Sequence, residues 1–599
     1  MTSLDESASP SIDVVLARAR AAAGGAACAR VRTLRLEGTI DAGGLSGPFV
    51  QCVDLAGGRA TRAFTLGPAN VASGFDGLRA WRRAPNGDVT LQSADAALRA
   101  AVTQAWLDAH GWWRADDAAR FESLGAKTVD GRPHDVLRAL PANGDPVQLW
   151  FDRETHRLAR AVQAGVLGRD AITCFEDQRD VDGVSLPWRV RTGNGDARFD
   201  RVVTIARIAT NDDLPPNAFD APAGVADDLR FVDGGTQATV AVDVIQNTIV
   251  VPVTLDGHAL RFVLDSGGVT LVTAEAAARL GLHVEGRVEA GGMDGASVIA
   301  GYTRVQQLVV GDAVVLERQL LHVLPMSNAS AVLGVAVDGI LGAELFRRLV
   351  LRIDYERAAI TLLRPPVQPG PDWGERLPLT FFAHIPCIDA VLDGAPAKFL
   401  VDTGNSGAVL LHASAAPAPT RKTSAPTVVG WGIGGAFNGR LARGERLQLG
   451  NIAVDAPALR MLANDNRALA APGLVGNIGG AILARFTVTF DHASHALWLA
   501  PNAGFGAPFH LDRSGLRIHA GDGGFEVVAV MAGSPGDEAG LRVGDVVVAV
   551  DGAAAAGTAL HVQRRAWQVS AVGTRVALRV ARDGSAFDAS MVLRDLIPA

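Results

Sequence analysis

One stretch and its echo constrain this chain more than any other feature. Residues 255–267 read Leu-Asp-Gly-His-Ala-Leu-Arg-Phe-Val-Leu-Asp-Ser-Gly, and residues 392–404 read Leu-Asp-Gly-Ala-Pro-Ala-Lys-Phe-Leu-Val-Asp-Thr-Gly. Each is an Asp-Gly hairpin turn, then a buried apolar strand, then Asp-Ser/Thr-Gly at the strand's end. Asp402 follows Asp265 by 137 residues, and Leu392 follows Leu255 by the same spacing. The spacing recurs downstream, where Leu341-Gly342 maps onto Ile478-Gly479 and Asp354 onto Asp491. Four landmarks on one period imply an internal duplication. Two copies do not make a solenoid, so the pattern predicts two similar lobes that pair about a pseudo-twofold axis.

These residues resemble the aspartic proteases. A pepsin-like or retropepsin-like lobe carries Asp-Thr/Ser-Gly after an apolar strand, and a later apolar-apolar-Gly strand that crosses behind it. The matching stretches here are Asp265-Ser266-Gly267 with Gly339-Ile340-Leu341-Gly342, and Asp402-Thr403-Gly404 with Asn477-Ile478-Gly479. The resemblance spans roughly residues 237–502 and implies lobes at 237–364 and 373–502, joined by a linker with Pro365, Pro366, Pro369 and Pro371. It further implies that Asp265 and Asp402 are the catalytic pair. Ser266 and Thr403 would hydrogen-bond across the axis, and Gly267 and Gly404 would allow the tight turn that aims amides at the carboxylates.

The chemistry of such a pair follows from charge. Two carboxylates ~3 Å apart cannot both ionise, so they share one proton. The ionised partner takes a proton from water, and the protonated one supports the developing oxyanion. No metal or cofactor is required. The pair titrates as one unit, and shared-proton logic gives an expectation of acid to mildly acidic activity.

Glycine-rich tips follow each motif. They are Gly291-Gly292-Met293-Asp294-Gly295 in the first copy and Gly430-Trp431-Gly432-Ile433-Gly434-Gly435 in the second. In the family this is where flaps close over substrate, so Gly292, Met293, Asp294 and Gly295, with Trp431, Gly432, Ile433 and Gly434, are the expected flap residues. Glycine there permits a tight turn and a close backbone approach to ligand. The chain departs from the pepsin pattern in lacking a flap tyrosine. Its two tyrosines, Tyr302 and Tyr355, fit a flap tip poorly, which leaves Trp431 or bare glycine tips. Gly268, next to Gly267, is expected to loosen the first active loop.

After Pro501 the pattern changes. The run Gly533-Ser534-Pro535…Ala539-Gly540-Leu541…Gly544-Asp545…Asp551-Gly552 closely resembles the PDZ domains of bacterial envelope proteases, over residues 507–597. Leu560–Val569 would be the groove helix. PDZ domains add a peptide strand to a sheet edge and hold its terminal carboxylate with loop amides. By that resemblance Gly515, Leu516, Arg517 and Ile518 line the site. Arg517 and Ile518 depart from the usual glycine-leucine-glycine-aromatic loop, so two readings stand: capture of a C-terminal peptide, or a dock for another part of the same chain.

The N-terminal third divides into a flexible segment, 1–28, with a short helix over Val14–Ala23, and a strand-rich region, 29–222. Alternation in Leu34–Ile40, Val147–Phe151, Leu158–Val162, Trp188–Arg191 and Val202–Ile208 reads as half-buried strands. One amphipathic helix starts at an N-cap Ser93, shows Leu98, Val102 and Leu107 on one face, and ends near Gly111. Two phrases, Leu149–Thr155 and Val181–Pro187, resemble the periplasmic lipoprotein-carrier half-barrels. That resemblance implies either a concave face for an acyl chain or a module that positions the protease. Trp112 and Trp113 read as core.

The expected whole is mostly β and multidomain: an N-terminal half-barrel sheet with a helix, two retropepsin-like acid-protease lobes, and a C-terminal PDZ domain. The expected partner is a polypeptide substrate, with a C-terminal peptide for the PDZ groove. A net charge of −7, from 56 Lys+Arg and 63 Asp+Glu, gives no basic footprint for nucleic acid. No apolar run approaches the ~18 residues of a membrane span. Asp5, Glu6 and Asp13 stand where an export signal would carry basic residues. On its own that reads as cytoplasmic, whereas the PDZ and carrier resemblances point to the periplasm or envelope. Cys28, Cys52, Cys174 and Cys387 show no metal spacing and leave open buried thiols or one bridge such as Cys52–Cys174. His492 and His495 lack a nearby third ligand for a metal. The rival functions are a non-catalytic peptide-binding envelope protein on a protease scaffold, and a lipid or lipoprotein carrier.

Overall fold

The computed structural model describes residues 10–597, except 85–86, 88, 93–94, 166–168, 223–227, 292–296, 327, 383, 416–421 and 465–472. The fold is mostly β and consists of several sheets. Its residues group into two compact units. One contains residues up to Asp227, with Val284–Glu289 and Gly301–Thr303. The other contains Asp228–His283, Ala290–Ala300 and Arg304–Ala599.

The first unit is built on one thirteen-stranded antiparallel sheet. Nearly every neighbour in it is also the neighbour in sequence. The exception is Thr33–Ala42, which pairs with Arg201–Thr210 and so joins the two halves. Turn chemistry sets this order. At Asp130-Gly131 and Asp182-Gly183 both residues take positive φ, the conformation of a two-residue hairpin turn that matches strand twist. One sheet face is covered by helices Ile12–Ala23 and Asp95–Asp108, whose Val15, Leu16, Trp106 and Leu107 pack on Leu34, Leu137, Leu149 and Phe151. The expected cap Ser93 lies outside the described residues. The second helix buries Thr103, Trp106 and Leu107, while Leu98 and Val102 are only half-buried, so its inward stripe is rotated from the one expected. Trp112 and Trp113 are buried, the latter stacked on His110. All four cysteines are free thiols.

The second unit contains the repeat. In the first copy, strand His258–Leu264 pairs antiparallel with Thr248–Leu255 and parallel with Gly339–Leu341, so Leu264 sits beside Leu341. In the second copy, Ala395–Val401 pairs antiparallel with Ile385–Leu392 and parallel with Leu474–Ile478, so Val401 sits beside Ile478. These registers repeat the sequence spacing. Both Leu-Asp-Gly turns are tight hairpins with positive φ at Asp256, Gly257, Asp393 and Gly394.

A six-stranded sheet joins the copies through the antiparallel pair Val350–Asp354 and Phe486–Asp491. Phe262, Phe346, Phe399, Phe486 and Phe490 lie fully buried in one continuous core beneath both copies. Burial of five phenylalanines, each ~1.5–3 kcal/mol, makes the paired lobes one packed body.

The C-terminal module has strands Leu516–Gly521, Gly524–Val530, Val546–Val550, Arg575–Arg582 and Ser585–Val592, with helix Leu560–Val569. Leu516, Ile518, Phe525, Leu560 and Trp567 fill its core.

Candidate active site

Each apolar strand ends by delivering its aspartate to the same place. The backbone N–H of Asp265 donates to Leu341 O at 2.9 Å, and that of Asp402 donates to Ile478 O at 2.9 Å. The strand behind each motif therefore fixes where the chain turns. The two carboxyl groups then lie in hydrogen-bonding contact.

A reciprocal set of bonds ties the two loops together. Ser266 N–H donates to Thr403 Oγ1 at 2.9 Å, and Thr403 N–H donates to Ser266 Oγ at 3.1 Å. The hydroxyls pass their own protons on, Ser266 Oγ to Val401 O at 2.7 Å and Thr403 Oγ1 to Leu264 O at 2.8 Å. Both side chains are fully buried. Every donor in the group has an acceptor, which is the condition for a buried polar network to rigidify rather than destabilise.

The amides after each motif reach the carboxylates. Gly267 and Gly268 N–H donate to Asp265 Oδ1 at 2.8 and 3.0 Å, and Gly404 and Asn405 N–H donate to Asp402 Oδ1 at 2.9 and 3.1 Å. The glycines differ in how tightly they are held. A Cβ on Gly404 would fall 2.6 Å from Asp265 Cγ, whereas one on Gly267 would stand 3.4 Å from Asp402 Cγ. Gly268 does not loosen its loop. It donates to Asp265, and a Cβ there would sit 2.8 Å from Asp265 Oδ2. Burial pushes both carboxyls above the usual carboxylate range, and for Asp402 the neighbouring Asp265 charge adds to this.

One part of the site was not anticipated from the sequence. Asn477 Nδ2 donates to Asp402 Oδ2 at 3.0 Å, and Asn405 Nδ2 donates to Asn477 Oδ1 at 2.7 Å. Gly407 N–H in turn donates to Asn405 Oδ1 at 2.8 Å. The signal was present as a mismatch across the repeat. Asn477 occupies the position that Ile340 holds in the first copy, and Asn405 the position of Gly268.

Of the expected flap residues, Gly292, Met293, Asp294 and Gly295 lie outside the described residues. Trp431, Gly432, Ile433 and Gly434 form the tip of a hairpin between strands Thr427–Gly432 and Gly435–Arg443. The Trp431 ring lies 4.8 Å from the His519 ring of the C-terminal module. Tyr355 is buried in the shared core.

The expected groove residues are already engaged. Asp512 Oδ1 accepts from Ser514 N–H at 3.0 Å and from Gly515 N–H at 2.8 Å, and Leu516 N–H donates to Ser514 Oγ at 3.1 Å. Arg517 Nε donates to Val428 O, on the second-copy hairpin, at 3.0 Å. The short helix Ala329–Leu333 lies against strand Leu516–Gly521. Its C-terminal Gly334 abuts the groove helix, where an added Cβ would meet Leu560 Cβ at 2.7 Å. Arg564 closes the arrangement. Its Nη1 donates to Val332 O at 2.8 Å and to Gln246 Oε1 at 3.0 Å, and its Nη2 to Ile518 O.

The family model for aspartyl proteases matches residues 251–345, the first copy, and that for the PDZ domain matches residues 526–582. No curated protein matches the chain. Among solved structures, a retropepsin-like aspartic protease from Rickettsia conorii is similar at 18% identity, covering 21% of this chain and 88% of that one, with a TM-score of 0.15. A DUF1329 family protein from Desulfovibrio piger is similar at 16% identity, covering 35% and 97%, with a TM-score of 0.26. A LolA superfamily protein from Nitrosomonas europaea has the same identity and coverage, with a TM-score of 0.24. The chain thus carries an aspartyl-protease domain and, at its C-terminal end, a PDZ domain.

Proposed function

We propose that this chain is an aspartic endopeptidase whose PDZ domain gates access of polypeptide substrate. The observation that carries the reading is the closed set of bonds linking Ser266 and Thr403 beneath two carboxyl groups in contact. A scaffold with no catalytic duty has no need to hold two buried acids together against their repulsion.

In the proposed reaction, the ionised carboxylate takes a proton from a water that attacks the peptide carbonyl carbon. The protonated carboxyl gives its proton to the carbonyl oxygen. A gem-diol results, and it collapses as the C–N bond breaks and a proton passes to the leaving nitrogen. Burial holds the shared proton to higher pH than an exposed pair would, so activity extends toward neutral. Catalysis rests on Asp265 and Asp402, with Ser266, Thr403, Gly267 and Gly404 as their supports.

The docking contacts support gating over free peptide capture. Amides of the Gly515–Leu516 loop are spent on Asp512 and Ser514, and the groove side of the module packs on Ala329–Leu333 and on the Trp431 hairpin. Undocking would open the groove and release the flap hairpin together.

The test compares wild type with Asp265→Asn and Asp402→Asn on a diverse peptide mixture from pH 4 to 8, read by mass spectrometry. Cleavage by wild type and by neither variant supports the reading. Intact peptides in all three samples at every pH, with a PDZ peptide ligand present, would overturn it in favour of a binding protein on a protease scaffold.

A further inference from the structure

The two halves of the dyad are not equivalent. Asp402 accepts three hydrogen bonds from fixed donors: Gly404 and Asn405 N–H at Oδ1, and Asn477 Nδ2 at Oδ2. Asp265 accepts two, both at Oδ1. Its Oδ2 faces Gly268, and a methyl of Ile340 lies on the same side.

The orientation of the Asn477 amide is not a free choice. Gly407 N–H is a backbone donor and cannot be reversed, so it fixes Asn405 Oδ1 toward itself. Asn405 Nδ2 must then point at Asn477 Oδ1, which turns Asn477 Nδ2 onto Asp402. A flip of either amide would set donor against donor. Asn477 is 1% exposed, so no water competes for this bond.

We infer that Asn477 is a positioning residue that places the resting negative charge on Asp402 and the shared proton on Asp265. Mutual repulsion falls on whichever carboxyl ionises second; the rise at Asp402 takes Asp265 as the charged one, the opposite order to the one that Asp402's third donor favours. The choice between them falls to the donors, and a donor aimed at a carboxylate favours its charged form. Asp402 then takes the proton from water, and Asp265 supplies the proton to the substrate carbonyl. This assignment rests on the protease reading for its use, though the proton's location does not.

The experiment uses the full chain with Asn477→Ile, which installs the residue found at the mirror position, and Ile340→Leu as control. If Asp402 holds the charge in both the singly and doubly ionised pair, losing Asn477 weakens only the first ionisation. The acid limb of the kcat/KM profile then rises by about one pH unit, a tenfold change in proton concentration, and the alkaline limb stays. Movement of the alkaline limb alone would put the charge on Asp265 and overturn the inference.

A second readout needs no activity. The difference in Tm between wild type and Asn477→Ile is expected to grow with pH through the pair's first ionisation. A difference that is constant with pH marks a merely structural residue and overturns the inference. If no peptide is cut but the Tm difference grows, the protease reading fails and the proton assignment stands. Should Asn477→Ile fail to fold, Asn405→Ala leaves Asn477 in place but unlatched, and it is expected to shift the same limb in the same direction.

Discussion

Arg564 offers the most direct test of gating. Its guanidinium touches the PDZ strand, the Ala329–Leu333 helix and Gln246 at once. Burial, with help from the Arg517 charge, brings it down to about 10, which still leaves it protonated at pH 7. Arg564→Ala removes a charged donor from two acceptors across the contact, Val332 O and Gln246 Oε1; its third bond, to Ile518 O, lies within the module. Hydrogen bonds to a charged group are each worth ~1.5–3 kcal/mol, and release of the buried guanidinium offsets part of the loss. A net cost of about 2–3 kcal/mol to docking corresponds to a ~30–150-fold shift toward the undocked module. Apparent peptide affinity scales with the fraction of open groove, so it should rise by up to that factor. The assay is anisotropy titration of a fluorescent decapeptide with an apolar C-terminus, with hydrogen exchange followed over 329–333 and 516–521. We expect binding at least ~10-fold tighter and faster exchange in both segments. Arg564→Lys should fall between, because one ammonium cannot reproduce a planar fork. Unchanged affinity together with unchanged exchange would refute the reasoning and reduce the contact to ordinary packing.

Three further outcomes follow from the site and its surroundings. Thr403→Val keeps the shape but strands Ser266 N–H and Leu264 O in a dry interior, which at ~1–3 kcal/mol per group should cost about 2–5 kcal/mol in urea unfolding, while Thr403→Ser should recover most of it. Gly404→Ala drives a methyl into Asp265 and should lower kcat by ~100-fold with a smaller effect at Gly267, where the nearest atom would be 3.3 Å away; equal effects at the two positions would count against the geometry. His492 is held neutral among Phe346, Phe381 and Phe490, with burial bringing it down to about 3. The unfolded imidazole titrates near 6.5, so its folded pKa is depressed and stability is lost as pH falls from about 6.5 to 3, by roughly 4–5 kcal/mol at most. His492→Phe should flatten that part of the Tm-against-pH curve, and an unaltered curve would show that other groups govern it.

The features legible in the sequence were those written locally and then repeated. Asp256-Gly257 and Asp393-Gly394 specify their own turn, and a shared spacing carries the strand register from Leu264–Leu341 to Val401–Ile478. Ser266 and Thr403 bond across 137 residues, yet the repeat makes them partners in advance. The features that escaped break the repeat or cross between modules. Arg564 reaches Val332 over 232 residues and Gln246 over 318, and nothing in the amphipathic pattern of its helix separates a docking arginine from a solvated one. Arg517 did carry a hint, standing where a PDZ loop usually has a small or aromatic residue; a charge there suits a loop that grips another backbone, here Val428 O, better than one that cradles a carboxylate with its amides.

Position 477 shows why a departure from symmetry is informative in a duplicated fold. The twofold arrangement explains how two acids come together, but an ideal twofold gives them identical surroundings and no reason to differ. One shared proton already makes one acid and one base of such a pair, and a break in the twofold decides which carboxyl is which. Here the break is a polar residue in a buried strand whose counterpart is Ile340, and a buried amide costs stability unless it is fully bonded. Asn477 meets that condition through Asn405 and Gly407 N–H, so the asymmetry is built from one extra donor and the chain of bonds that orients it. If this is the role of Asn477, moving the donor to the other lobe should exchange the two acids. The double variant Asn477→Ile and Ile340→Asn would place an amide beside Asp265 and leave Gly268 unaltered, because a Cβ there would meet Asp265 Oδ2 at 2.8 Å. Its acid limb should then return toward that of wild type, because the new amide in the first lobe favours the charged form of Asp265. A double variant that folds and cuts with the limbs of Asn477→Ile alone would mean that the donor's place does not decide which acid is charged.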